Sequence, residues 1–209
     1  SGMYPPDLTI EQAASAMARI PAVHHPGEKF TYGHSTDLLG RLIEIWAGKP
    51  LDRVFDELII KPLGMKDTAF QVSGRLNGRF ASTYYQKDGE LNIQDSYRTS
   101  DFNKGFKFLA GGSGLVSTIR DYAIFCTMLV NNGKHGRSQV IKAETLQQMF
   151  TDQLAGVAGG FQFGLGFAID NLKVGAGSSS RMVKSYAWSG YASTTFQVIP
   201  ELKLVNIIV

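Results

Sequence analysis

The stretch KFTYGHSTDLLGRLIEIWAG, Lys29 to Gly48, sets a tyrosine directly before a helical pattern. Tyr32 is followed by Gly33, His34 and Ser35, so a phenol, an imidazole and a hydroxyl crowd into one short segment. Two readings stay open from these residues alone. Either Tyr32 plugs the start of a helix, or its hydroxyl is aimed at a reaction. The other reactive side chains point to less. His24 and His25 are adjacent, so on a strand they would face opposite sides. His34 and His135 complete the histidines, and no H-E-x-x-H and no cysteine pair exists, so no metal site is expected. Cys126 is the only cysteine and sits in an apolar helical pattern, where a small core residue is the expectation. Ser113 lies in GGSGL, but a nucleophile elbow needs glycine where Leu115 stands. Nothing in the spacing promotes a Ser-His-Asp triad.

The elements around these residues follow from periodicity and caps. TIEQAASAMARI, residues 9–20, reads as a helix with Thr9 at the N-cap and Gln12 at capping-box spacing. PAVHHPGEKF is a loop. The helix after Tyr32 starts near Ser35 or Thr36 and ends at Gly48. Its broad apolar face is Leu38, Leu39, Leu42, Ile43, Ile45 and Trp46. Pro50 opens a further helix with Leu51, Val54, Phe55, Leu58 and Ile59 inward, and KPLGMKDTAF ends it. Residues 71–108 read as an irregular polar excursion with strand-like pieces such as ASTYYQ. A helix follows with Ile119, Tyr122, Phe125, Cys126, Leu129 and Val130 on its buried face, opened near Thr118 and Asp121 and closed by Gly133. Gly111, Gly112 and Gly114 before it permit a tight backbone path and serve packing. KAETLQQMF is a short helix. The runs FGLGFAI, MVKSYAW, STTFQVI and LKLVNIIV are then joined by short turns, which predicts an antiparallel sheet. The fold class is α+β: a helical part over about 9–150 packs on antiparallel strands over about 161–209.

The whole chain bounds the function. Its 209 residues suit one large domain or part of a larger one, and 44% hydrophobic with 19% charged residues is a globular composition. The net charge of +3 comes without a Lys/Arg run, so nucleic acid is not expected as a partner. Neither a phosphate-binding loop nor a dinucleotide fingerprint occurs, and no cofactor is implied. No run of about 18 apolar residues exists to span a membrane. No signal peptide is visible, and the sequence does not choose between cytoplasm and periplasm. Oligomeric state is also left open. LKLVNIIV stops on an apolar strand-like run and SGMYPPDLT begins without a preceding element, so the chain is expected to continue at both ends.

Three stretches together resemble the serine β-lactamase-like family: PGEKFTYGHSTDLLGRLIEIWAGKPLDRVFDELIIKPLGMKDTAF, GGSGLVSTIRDYAIFCTMLVNNG and WSGYASTTFQVIPELKLVNIIV. Within it the chain is most similar to the β-lactamase-like carboxylesterases. Tyr32, Asp37, Leu39 and Gly40 match their Y-x-x-x-x-D-x-L-G, and Trp188, Ser189 and Gly190 match W-x-G where β-lactamases and penicillin-binding proteins carry K-T-G. The resemblance covers nearly the whole chain, residues 1–209, as a partial β-lactamase-like hydrolase domain. One departure is large: the family nucleophile is the serine of S-x-x-K, and no S-x-x-K occurs. Ser100 to Lys104 and Ser138 to Lys142 are one residue too long. By resemblance, Ser1–Tyr4 matches the T-S-G that follows the absent part, which would also hold a strand or two of the sheet, with a helix after Val209.

The resemblance implies a serine hydrolase that forms an acyl-enzyme on small-molecule esters or amides. Acyl transfer needs an activated hydroxyl, a proton shuttle and donors for the oxyanion. A free phenol titrates near about 10, and the ammonium of S-x-x-K would favour the phenolate. The resemblance makes Tyr32 that shuttle. His34 occupies the asparagine place of Y-x-N and either touches the substrate or the shuttle, or is a structural residue bonded to backbone. Trp188 to Tyr191 would lie on the edge strand: Ser189 hydrogen-bonds substrate or tyrosine, Gly190 lets substrate approach, and the Tyr191 N–H serves the oxyanion. Trp188 replaces the lysine that holds a β-lactam carboxylate and offers an apolar wall, which argues for neutral esters. As a plain core aromatic it would carry no such meaning. Two alternatives remain: a penicillin-binding, D-amino-acid peptidase or β-lactamase-type activity, and a non-catalytic binding or assembly module of the same fold.

Overall fold

Thr9 starts the first helix as its residue type demands. Its side chain accepts from Gln12 N at 3.2 Å, Gln12 Oε1 accepts from Thr9 N at 3.0 Å, and α1 runs Ile10–Met17. The computed structural model of the chain describes residues 7–72, 74–105, 107–157 and 161–209, the side chains of 75–77 excepted. Ser1–Tyr4, matched above to a family motif, lies outside the described residues. The chain divides into two compact units. The first comprises Ser1–Pro21, Tyr32–Glu57 and Lys66–Thr118, and the second Ala22–Thr31, Leu58–Met65 and Ile119–Val209.

In the first unit α2 spans Ser35–Ala47 and α3 Leu51–Phe55. Gly48 takes the left-handed conformation at φ 64° that ends α2. The core here is Ile10, Ala13, Leu51, Phe70, Phe108 and Ala110, with Ile43 and Phe55 packed against it. Of the apolar face expected on α2, only Ile43 turns toward the core. Leu38, Leu39, Leu42, Ile45 and Trp46 are exposed, whereas Asp37 and Gly40 are buried. The inward stripe is polar and small instead: Asp37, Gly40, Arg41 and Glu44, at i, i+3, i+4 and i+7. Each polar member is paired. Arg41 meets Glu11 at 3.1 Å and Glu44 at 3.2 Å, and Glu44 Oε1 accepts from Leu51 N at 3.0 Å. Gly40 is there because a Cβ would come within 3.0 Å of Ile10 Cδ1 and 3.3 Å of Gly111 Cα.

The excursion over 71–108 is more ordered than expected. β1, Thr83–Lys87, pairs antiparallel with β2, Glu90–Asp95. Asp88 and Gly89 both take positive φ, 53° and 83°, the conformation a two-residue hairpin turn needs.

Beyond Phe55 the helical path loosens into a π-turn over Asp56–Ile60 and ends as α4, Lys61–Leu63. The wider turn breaks the 3.6 period, so Leu58, expected inward, is exposed. In the second unit α5, Ile119–Val130, lays Cys126, Met128, Leu129 and Val130 into the core, while Ile119, expected on that face, is exposed. Gly133 closes α5 at φ 78°, and its N–H donates to Met128 O at 3.0 Å. A two-residue hairpin of β3, Lys134–His135, and β4, Ser138–Gln139, leads to α6, Ala143–Met149. A five-stranded antiparallel sheet follows in sequence order: β5 Gln162–Phe163, β6 Ala168–Val174, β7 Arg181–Ser189, β8 Thr195–Ile199 and β9 Leu204–Ile208. FGLGFAI is thus two strands, since Gly166 turns at φ 94° between them. Helix α5 packs on β8 and β9. Lys203, left-handed between those strands, donates to Val130 O at the C-terminal end of α5. The α+β class holds: helices and an antiparallel sheet. No helix among the described residues is long and apolar enough to cross a membrane.

Candidate active site

The first unit fixes the tyrosine segment through one buried carboxylate. Asp37, 3% exposed, lies in the first turn of α2, where the helix dipole favours a negative charge. Its Oδ1 accepts from the Gly112 N–H at 2.9 Å. Its Oδ2 lies 2.9 Å from His34 Nδ1. These are hydrogen bonds to a charged acceptor, the strong kind. They bind the glycine loop and the residue preceding α2 to the same side chain. Gly111 and Gly112 complete the fit. A Cβ on Gly111 would collide with Thr36 O, and one on Gly112 would lie 2.5 Å from Thr36 Oγ1. These glycines therefore serve close packing against the start of α2. Asp37 appeared in the sequence only as one letter of a motif. Its signal was an acid three residues after the residue that caps the helix.

Tyr32 stands two residues before that clamp and is 74% exposed. It is no apolar plug. His34 is the residue preceding α2 and bonds Asp37, a side chain rather than the backbone partner considered above. Gly33 has room for a Cβ, so local sterics do not require glycine there.

In the second unit, Trp188 and Ser189 end β7, while Gly190 and Tyr191 lie in the turn beyond it. The expected edge strand is corrected: β7 is the middle strand of the sheet. Its pairing with β6 stops at Ala187, however, and Trp188 and Ser189 pair only with Phe196 and Thr195 of β8 among the described residues. The strand is central along its length and edge-like at the end that carries the motif. The Gly190 N–H donates to Thr194 O at 2.8 Å, and a Cβ on Gly190 would lie 2.6 Å from Thr194 Oγ1, so a larger residue would have to displace that side chain. Tyr191 is exposed. Trp188 is half-buried, with its ring 5.0 Å from Phe163 at 74°. Of the remaining histidines, His24 has its Nε2 2.8 Å from Thr31 Oγ1, and His135 falls in β3.

A model of the Beta-lactamase family matches residues 1–209. The chain belongs to the beta-lactamase family. Protein Rv1367c of Mycobacterium tuberculosis is 30% identical over 204 residues, which are 91% of this chain and 51% of that protein. An Escherichia coli K12 protein, provisionally named a D-alanyl-D-alanine carboxypeptidase, is 30% identical over 76% of this chain and 39% of its own length. The solved structure of EstCE1, described as a hydrolase with promiscuous acyltransferase activity, superposes with a TM-score of 0.75 at 21% identity, covering 96% of this chain and 56% of that one. The last shows the fold. The beta-lactamase-family chain therefore spans about half or less of the length of the curated relatives it matches.

Proposed function

We propose that this chain carries the proton-transferring and substrate-facing groups of a serine hydrolase acting on small carboxylic esters, with its nucleophilic serine outside these 209 residues. The observation that carries the reading is Tyr32: an exposed phenol on a segment whose next turn is locked by Asp37. A general base has to reach a substrate and hold its place, and those are the two properties combined here. In the reaction, the serine Oγ attacks the ester carbonyl carbon and its proton passes to the Tyr32 oxygen. The tetrahedral oxyanion is held by the Tyr191 N–H and the nucleophile's own N–H. Tyr32 then returns the proton to the leaving alkoxide. Water repeats the cycle on the acyl-serine, releasing the acid. An alcohol in place of water would give transfer instead of hydrolysis, the promiscuous activity described for EstCE1.

Trp188 supports esters over β-lactams. It fills the position of the family's lysine, so no ammonium of that motif is available there for a substrate carboxylate. The name of the Escherichia coli relative favours a second reading, a D-alanyl peptidase. The test is a substrate panel on the full-length gene product: ethyl butyrate, a chromogenic β-lactam and an acyl-D-Ala-D-Ala peptide. Ester turnover well above the other two is expected, and none from the 209-residue chain alone, which holds no S-x-x-K. Preference for the peptide would replace the ester reading with the peptidase one. Absence of all three activities would favour a binding module.

A further inference from the structure

Among the described residues, the second unit holds two groups of aromatic rings, and only one belongs to its core. Phe150 stacks on Tyr186 at 3.9 Å, and Phe167, Phe196 and Tyr122 join them within the packed cluster. Phe30, Phe161, Phe163 and Trp188 lie outside that core yet touch one another. Phe30 meets Phe161 at 5.2 Å and 85°, and Phe161 meets Phe163 at 5.8 Å and 75°. Phe30 lies 5.7 Å from Phe163, which in turn contacts Trp188. The group stays open to solvent: Phe161 is 40% exposed and the other three are half-buried.

From this geometry we propose that the four rings form a recognition wall for a flat aryl group of the substrate. The inference rests on the ester-hydrolase reading, which puts the substrate at Ser189 and Gly190, the residues next to Trp188. The wall is pre-set. The Phe163 N–H donates to Asp152 Oδ1 at 3.1 Å and its carbonyl accepts from Gln153 N at 2.8 Å, while Trp188 O accepts from Thr195 Oγ1 at 3.2 Å. Rings held edge to face present the positive edges and negative faces that a further arene fits. A saturated ring of the same size gains the same burial but lacks the quadrupole. Comparing the two separates aromatic recognition from plain hydrophobicity.

The test uses alkyl leaving groups, to keep chromophores out of the site. Ethyl phenylacetate is compared with ethyl cyclohexylacetate, and phenethyl acetate with cyclohexylethyl acetate, by proton release from the full-length protein. In at least one pair the aryl ester should be favoured about five- to tenfold in kcat/KM. The favoured pair tells whether the acyl or the alcohol side meets the wall. Phe161→Leu should bring the ratio near one. A second readout needs no turnover. The Trp188 emission is taken as the difference between the full-length protein and its Trp188→Phe variant; benzyl alcohol should shift it where cyclohexylmethanol does not, with Phe161→Leu abolishing the shift. Where esters turn over, equal rates within both pairs overturn the aryl wall and leave the hydrolase reading standing. Where no ester turns over, the emission shift decides: its presence upholds the wall while the hydrolase reading fails, and its absence overturns the wall.

Discussion

Helices α2 and α5 have nearly equal lengths, 13 and 12 residues, and both carry a strong apolar stripe in sequence, yet they use it oppositely. Helix α5 lays Cys126, Met128 and Leu129, each fully buried, against the core that the β8–β9 side of the sheet completes. Helix α2 turns Asp37, Gly40, Arg41 and Glu44 to its own unit and leaves Leu39, Ile45 and Trp46 exposed. Periodicity locates a stripe. It does not say what covers it. A polar stripe wins the inward position when every member finds a partner, because a paired buried charge avoids most of the desolvation cost.

The contrast can be broken by mutation. Leu129→Ala, at a fully buried site, should cost about 2–5 kcal/mol of stability in urea unfolding. Asp37→Ala should cost about 1–3 kcal/mol, because it removes a buried carboxylate and both of its bonds, to the Gly112 N–H and to His34 Nδ1; a neutral result would remove the clamp from the account. Trp46→Ala, 75% exposed, should stay within about 0.5 kcal/mol. A loss at Trp46 matching that at Leu129 would erase the difference between the helices.

A pH titration sharpens the same comparison on the α5 side. Burial pushes the Cys126 thiol from 9.0 up to about 12 and raises the Tyr122 phenol as well, with the nearby Cys126 adding to the latter. Both groups therefore bind protons more tightly folded than unfolded. Their stabilisation is full below about pH 9 and is lost as pH rises toward about 12. The urea midpoint should fall over that window, and Cys126→Val should make the fall shallower. An unchanged slope in Cys126→Val would contradict the burial argument.

Legibility in the sequence followed how local the determinant was. The capping box of Thr9 and Gln12 and the left-handed Gly48 and Gly133 were readable because each is a short-range contact. The β1–β2 hairpin carries a local signal in Asp88-Gly89, two residues of positive φ between strand-like runs. Leu58 was misplaced because a π-turn is a departure from periodicity that periodicity cannot foretell. At the site, the family motifs singled out Tyr32 and Trp188. The bond from Asp37 to Gly112 joins residues 75 apart and has no sequence period. The edge placement of Trp188 came with the family resemblance, and the one-sided pairing at the end of β7 depends on where β6 begins, at Ala168, which no local pattern marks.

The central claim is that the Tyr32 hydroxyl moves the proton. Tyr32→Phe removes one oxygen from an exposed residue, so stability should fall by no more than about the 0.5–1.5 kcal/mol of one hydrogen bond. In the full-length protein with ethyl butyrate, kcat should fall about a hundred- to ten-thousand-fold, with KM within about threefold of the parent. A Tyr32→Phe enzyme that keeps near-parent kcat would contradict the account.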